Sequence, residues 1–424
     1  MKNKLYLTLA LIGFSLASAT AQTRRMTMDE ADSIAVNNNL KLKASLLDID
    51  AAEGLWTQAK RLENPEVQLM HNVQNPENRK WMDMGYEGQT DIQVSQPIAI
   101  GGQRRNKVRQ AEAALNASRA THDATALDVR HEARTTFIDL YNAQQKLKVY
   151  DKEIGSVEKI HNAYEEQSCK GNVSRMQAFR IAAMLSQLRA DKAEMQLCVN
   201  ELKARLSVLL NIDGTEDIEA VIDEDSAISS VAENLALLQP LTDMRNTSLL
   251  QDIIRNHPEM TQARYEEESA AHAVKAEKAD ALPHISLNGE WDKNGSIGHN
   301  FFAVGATVTV PLWNRNRGNI RSAKAQHERS VIERQQKEQE LRTALTTHYN
   351  ATLQSLKLVE EQKKHLATDL DQLMEAAEQQ VMKRNITVVE FVDLYSSYRD
   401  TRFQMEDAKA MLIKSNEELK KYTR

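Results

Sequence analysis

Val94–Ser95–Gln96–Pro97–Ile98–Ala99–Ile100–Gly101–Gly102–Gln103–Arg104–Arg105–Asn106–Lys107–Val108–Arg109 is the stretch that decides how this chain is read. A strand with alternating sides meets a proline, which has no N–H for a ladder. A glycine pair then allows a sharp change of direction, and a basic, alanine-rich helix begins. The same sentence returns as Val308–Thr309–Val310–Pro311–Leu312–Trp313–Asn314–Arg315–Asn316–Arg317–Gly318–Asn319–Ile320–Arg321. Other landmarks recur in register. Asn38 and Asn256, like Pro65 and Pro283, are 218 residues apart; Val94 and Val308, like Pro97 and Pro311, are 214 apart; Asn172 and Asn385 are 213 apart. A fixed long period is the mark of an internal duplication.

Outward from these junctions, each half follows one plan. In the first, apolar residues at helical spacing predict a helix over 29–61, ended by Asn64–Pro65. Val67, Leu69 and Val73 alternate with Gln68, Asn72 and Gln74, which predicts a strand over 65–75. A polar, turn-rich piece follows, then a second strand over 88–97 with Ile92 and Val94 opposite Asp91, Gln93 and Ser95. A helix is predicted over 104–168, a turn at Lys170–Gly171–Asn172, and a returning helix over 173–210. The segment 211–242 is acidic and reads as irregular, with short strands left open. In the second half a helix over 244–281 precedes strands over 283–292 and 300–311. Ile285, Leu287 and Trp291 oppose His284, Ser286, Asn288 and Glu290. Phe302, Val304, Ala306, Val308 and Val310 oppose Ala303, Gly305, Thr307 and Thr309. A second long helix over 318–383 turns at Arg384–Asn385 and returns to 422. The hairpins thus span 104–210 and 318–422, and the repeats 22–242 and 243–424.

The chain has 424 residues, 14 Gly, 7 Pro and a net charge of −6. So little Gly and Pro favours long helices. The mild acidity, without a basic face, argues against a nucleic-acid partner. Lys2 and Lys4, the apolar run 5–16 and Ala19–Thr20–Ala21 predict a secretory signal peptide over 1–21 with Gln22 as the mature start. No cysteine follows it to carry a lipid. No later apolar run is long enough for a transmembrane helix. Cys169 and Cys198 are read as lying on one helix, about 40 Å apart, too far to bridge.

The strands decide more than the helices. A helix of about 65 residues is about 100 Å long and needs neighbours along its length. Leu366, Leu370, Leu373, Ala377 and Val381 form one lateral seam. Each of the four strands approaches the ~9–11 residues that cross an outer membrane and pairs an apolar face with a polar or small one. Four strands cannot close, and an open edge cannot sit in lipid. Several copies must therefore share one barrel.

The repeated strand–Pro–basic, Ala-rich helix, as in Ser95–Gln96–Pro97–Ile98–Ala99–Ile100–Gly101–Gly102–Gln103–Arg104–Arg105, resembles TolC-type outer membrane efflux proteins over nearly the whole mature chain. The resemblance implies a mainly α fold with a β-barrel contribution. In it a homotrimer pools four strands per protomer into a twelve-stranded outer membrane barrel, continued by a periplasmic α-helical barrel. The segment 211–242 would join an equatorial ring. It implies a Gram-negative cell envelope, a periplasmic adaptor (membrane fusion) protein and an inner-membrane RND-type transporter as partners, and a passive export conduit. The stretch 311–320 is most similar to the heavy-metal and cation efflux subgroup.

The resemblance also places the sites. The hairpin turns Gly171–Asn172–Val173–Ser174 and Arg384–Asn385–Ile386–Thr387 would contact the adaptor. Glu390 and Asp393, one turn apart on one helix face, would form acidic rings at the periplasmic entrance. Gln177 and Arg180 stand at the equivalent places of the first repeat, and Arg180 is a candidate for gate pairing with a neighbouring carboxylate. No metal-ligand spacing, nucleophile–base pair, phosphate loop or cofactor motif appears, so neither an enzyme nor a cofactor is expected. Two rivals remain: the channel of a type I protein-secretion system, and a periplasmic coiled-coil structural protein without a pore.

Overall fold

The computed structural model describes residues 24–75, 79–214, 216–238, 247–295, 297–366 and 370–423. The expected signal peptide and the repeat boundary at 242/243 lie outside them. In chain order the elements are β1 (Arg24–Thr27), α1 (Met28–Asn38), α2 (Leu40–Ala59), β2 (Glu66–His71), β3 (Thr90–Ile98), α3 (Gln103–Cys169), α4 (Arg175–Leu210), β4 (Ile218–Val221), α5 (Glu224–Leu238), α6 (Thr247–Asn256), α7 (Pro258–Asp280), β5 (His284–Gly295), β6 (Gly298–Thr309), α8 (Arg317–Leu366), α9 (Leu370–Met382) and α10 (Val388–Thr423). No described helix is long and apolar enough to cross a membrane. The chain forms two compact units, one of 1–43, 125–253 and 342–424, the other of 44–124 and 254–341. Neither coincides with a sequence repeat, because each takes segments from both halves.

The unit of 44–124 and 254–341 holds a four-stranded antiparallel sheet in the order β2-β3-β5-β6. Its register aligns the expected faces. Leu69, Ile92, Trp291 and Phe302 form one cross-strand row, and Val67, Val94, Gly289 and Val304 the next. On the opposite face Gln93 pairs with Glu290 and Ser95 with Asn288, and the Asn288 amide donates to Thr307 Oγ1 at 2.6 Å. Among the described residues nothing covers the outer part of the apolar face: Phe302 is 74% exposed and Val304 93%. The last hairpin is tighter than expected, since β5 runs on to Gly295 and pairs it with Gly298.

The other unit is helical around three apolar cores. Its β1 pairs in parallel with β4, and Met26 of β1 is fully buried. The segment 211–242, read as irregular, contains β4 and the 15-residue helix α5. Val231, Leu235 and Leu238 of α5, spaced four and three apart, are buried; the acidic composition hid that stripe.

Two helices predicted as continuous are each broken once. The helix over 29–61 breaks at Asn39, which has an extended ψ of 129°. Asn39 Oδ1 accepts from the N–H of Lys41 at 2.9 Å, capping α2, while its amide donates to the Leu209 carbonyl at 2.9 Å. The helix over 244–281 breaks at His257, with ψ 134°, and Pro258 opens α7. These breaks are 218 residues apart, the duplication offset. Cys169 ends α3 and Cys198 lies on α4, so they do not share a helix; both are free and exposed.

Candidate functional site

The two hairpin turns at 170–174 and 383–387 share one backbone design and differ in their caps. Gly171 and Arg384 both take left-handed backbone, with φ of 77° and 61°. The next residue, Asn172 or Asn385, returns its N–H to the carbonyl five residues back, Gln167 or Gln380, each at 2.9 Å. Its side-chain amide donates to the same glutamine's Oε1, at 2.9 Å in the first turn and 2.6 Å in the second. This satisfies carbonyls that a helix end otherwise strands. Ser174 Oγ then caps α4 by accepting from Met176 N at 3.2 Å. Thr387 Oγ1 caps α10 by accepting from Glu390 N at 3.2 Å. Gly171, Asn172, Ser174, Arg384, Asn385 and Thr387 are exposed, whereas Val173 and Ile386 turn inward against the core beneath.

Glu390 is more engaged than its spacing suggests. Its Oε2 accepts from both the backbone N–H and the hydroxyl of Thr387, each at 2.8 Å, closing a capping box. Those two bonds hold its carboxyl below the usual glutamate range. Asp393 is exposed. It lies on one wall of a groove of about 600 Å³ between α4 and α10, and Arg180 lies on the other. Phe179, Met184, Val389 and Val392 supply the groove's apolar lining. Among the described residues Arg180 has no carboxylate within ion-pair distance, and Gln177 is exposed.

Other residues join the hairpins. Arg384 Nη2 donates to Gln167 Oε1 at 3.1 Å. Tyr164 donates its hydroxyl to the Val381 carbonyl at 2.9 Å in the buried interior, tying α3 to α9. Arg399 of α10 pairs with Asp191 of α4 at 3.5 Å. The core below the turns contains Tyr150, Val157, Ile160, Tyr164, Phe391 and Tyr395.

Glu153 sits among these apolar residues. It is 2% exposed, and among the described residues neither carboxyl oxygen has a hydrogen-bond partner. The sequence carried a signal for it: positions 150, 153, 157, 160 and 164 follow the three-four spacing of a packing seam, and 153 is the one acid in it. Arg399 and Asp191 left no such signal, because their pairing joins separate helices.

Comparison with known proteins adds the following. The family model for the outer membrane efflux protein matches residues 33–211 and 249–423. The cobalt-zinc-cadmium resistance protein CzcC of Cupriavidus metallidurans is 21% identical over 308 residues, covering 73% of this chain and 68% of that protein. A crystallised membrane protein from Pseudomonas aeruginosa shares the fold with a TM-score of 0.76 at 16% identity, covering 94% of this chain and 93% of that one. CusC, crystallised in a study of folding and transmembrane channel formation, does so with a TM-score of 0.75 at 15% identity, covering 93% and 91%.

Proposed function

Because the chain belongs to the outer membrane efflux protein family, we propose that it is the outer membrane channel of a tripartite efflux system, a passive conduit assembled from three copies. One observation carries the reading. The sheet presents a continuous apolar face and, among the described residues, two unpaired margins, β2 and β6, which cannot rest in lipid until other strands pair with them. Three protomers supply twelve strands, and their polar faces line the pore. The turns at 171–174 and 384–387 meet a periplasmic adaptor, and an inner-membrane transporter of the RND type supplies the energy.

Three copies stack Glu390 and Asp393 into two acidic rings at the periplasmic entrance, which favour cations. Arg180 finds its carboxylate on a neighbouring copy and helps hold the entrance shut, so Arg180→Ala raises closed-state conductance. The likeness to a protein named for cobalt, zinc and cadmium resistance supports metal cations as cargo. The test is direct. Detergent-extracted mature protein should have the mass of a trimer and conduct ions across a planar bilayer. A water-soluble monomer without affinity for micelles refutes the reading. A deletion strain should lose metal tolerance; one that instead stops secreting a protein moves the channel to type I secretion.

A further inference from the structure

We propose that Glu153 is a proton-operated latch on the tip bundle: neutral, its carboxyl stays sealed between α3, α4 and α10, and on ionising it leaves that core and releases α10 from α3. The consequence for conduction rests on the channel reading above; the latch itself does not.

The argument starts from packing. A carboxyl with no hydrogen-bond partner in an apolar interior cannot stay charged at ordinary cost. Glu153 is such a group. The same residue anchors α10, because Tyr395 donates its hydroxyl to the Glu153 carbonyl at 3.3 Å. One turn further along α10, Arg399 is held by Asp191 of α4 at 3.5 Å and by Asp400 at 3.6 Å. One short stretch of α10 therefore grips both α3 and α4 around the buried acid.

The charged groups around Glu153 do not neutralise it. Asp191 faces it from α4, and Arg399 and Asp400 from α10. Glu153 itself lines a cavity of about 210 Å³, which adds Asp371, Glu375 and Glu378 from α9, and Arg402 and Glu406 from α10. Lys148 and Lys152 line it from α3 itself. Lys152 and Arg402 are drawn to Asp371, at 3.2 and 3.7 Å, and Tyr398 donates to it at 2.6 Å. Burial pushes the Glu153 carboxyl up to about 8; Arg399 opposes this, while Asp400 and Asp191 add to it.

The sign follows from linkage. The sealed state keeps a proton that a solvated glutamate gives up near 4.5. Raising the pH between those limits favours the released state by up to about tenfold per pH unit in each protomer, and above the upper limit nothing more is gained. Once α10 shifts, Arg399 exchanges Asp191 for the new carboxylate, so the released state replaces the charge pair that it breaks.

The test uses the full mature chain in detergent. Amide exchange of peptides over 388–400, corrected for intrinsic rates, is followed from pH 6 to 9 beside single-channel recording. Protection of the wild type should fall between pH 6 and about 8 and level off above that, and conductance should rise with it. Glu153→Gln and Glu153→Met should keep α10 protected throughout. Asp191→Asn, which removes one facing carboxylate and frees Arg399, should move the step to lower pH. A wild-type profile flat across this range, a step that survives in Glu153→Gln, or a step unmoved by Asp191→Asn overturns the latch. A protein that never conducts but shows the exchange step keeps the latch and removes the channel reading.

Discussion

Arg134 of α3 offers the most exacting test of how the helical unit is held together. It is 6% exposed and reaches three carboxylates: Asp29 at 3.1 Å and Asp32 at 3.1 Å on α1, and Glu417 at 2.7 Å on α10. They are not equal. The Asp29 side chain is 88% exposed, so water screens it and it adds little. Asp32 has a second cation, Arg130 at 3.0 Å. The Glu417 side chain is 3% exposed, and among the described residues its one remaining cation is Lys420, at 2.7 Å. Arg134→Met preserves the stem's volume and strands Glu417 in the interior. Breaking a buried pair from one side costs about 3–5 kcal/mol. With Lys420 and Arg130 left in place, the expected loss is about 3 kcal/mol. Most of it is the penalty of an uncompensated charge, so adding Glu417→Gln should restore at least half. Urea unfolding in detergent, followed by far-UV circular dichroism, measures the two singles and the double as a cycle. A loss below about 1 kcal/mol for Arg134→Met, or a double variant as unstable as the sum of the singles, refutes the reasoning.

Four further outcomes are expected. Gly171→Ala forces a Cβ into left-handed backbone and should destabilise the first turn by about 1 kcal/mol, read as faster amide exchange over 165–178 with the sheet unaffected. Val304→Arg on the apolar face should block trimer formation and recovery in membranes, with a penalty of about 2–4 kcal/mol per site at mid-bilayer depth; Thr307→Arg on the opposite face should assemble normally, and equal behaviour of the two would show the faces are assigned wrongly. Asp393→Asn should reduce cation selectivity, seen in the reversal potential, and leave stability unchanged. Glu390→Gln should lower selectivity and also cost about a few tenths of a kcal/mol of stability, because glutamine keeps the capping-box contact with Thr387 but not its charge.

Periodicity made the strands legible. Alternation at Ile92 and Val94, and at Phe302, Val304 and Val308, assigned faces that the observed register brings into continuous rows. The long helix over 104–168 needed only the lack of a proline, and α3 ends within a residue of both limits. What escaped was local chemistry and cross-chain pairing. Asn39 and His257 break helices by capping their own neighbours, an option open to any asparagine or histidine and chosen here by packing. β1 has four residues and becomes a strand only because β4 lies beside it. The turns were located from Gly171–Asn172 and Arg384–Asn385, but their shared hydrogen bonds depend on Gln167 and Gln380, which sit on helices and look like ordinary surface residues. Glu390 and Asp393 were chosen by family resemblance alone, and the capping of Glu390 followed from Thr387 three residues earlier.

The free margins of the sheet carry a burden before any membrane is reached. On the proposed channel reading, a newly exported protomer travels with β6 bare, a twelve-residue strand with no proline and no Asp, Glu, Lys or Arg. Such a margin invites addition of like strands without limit. Delivery therefore calls for a holding chaperone until neighbours arrive. Overproduction that outruns it should yield sheet-rich aggregates rather than soluble chain.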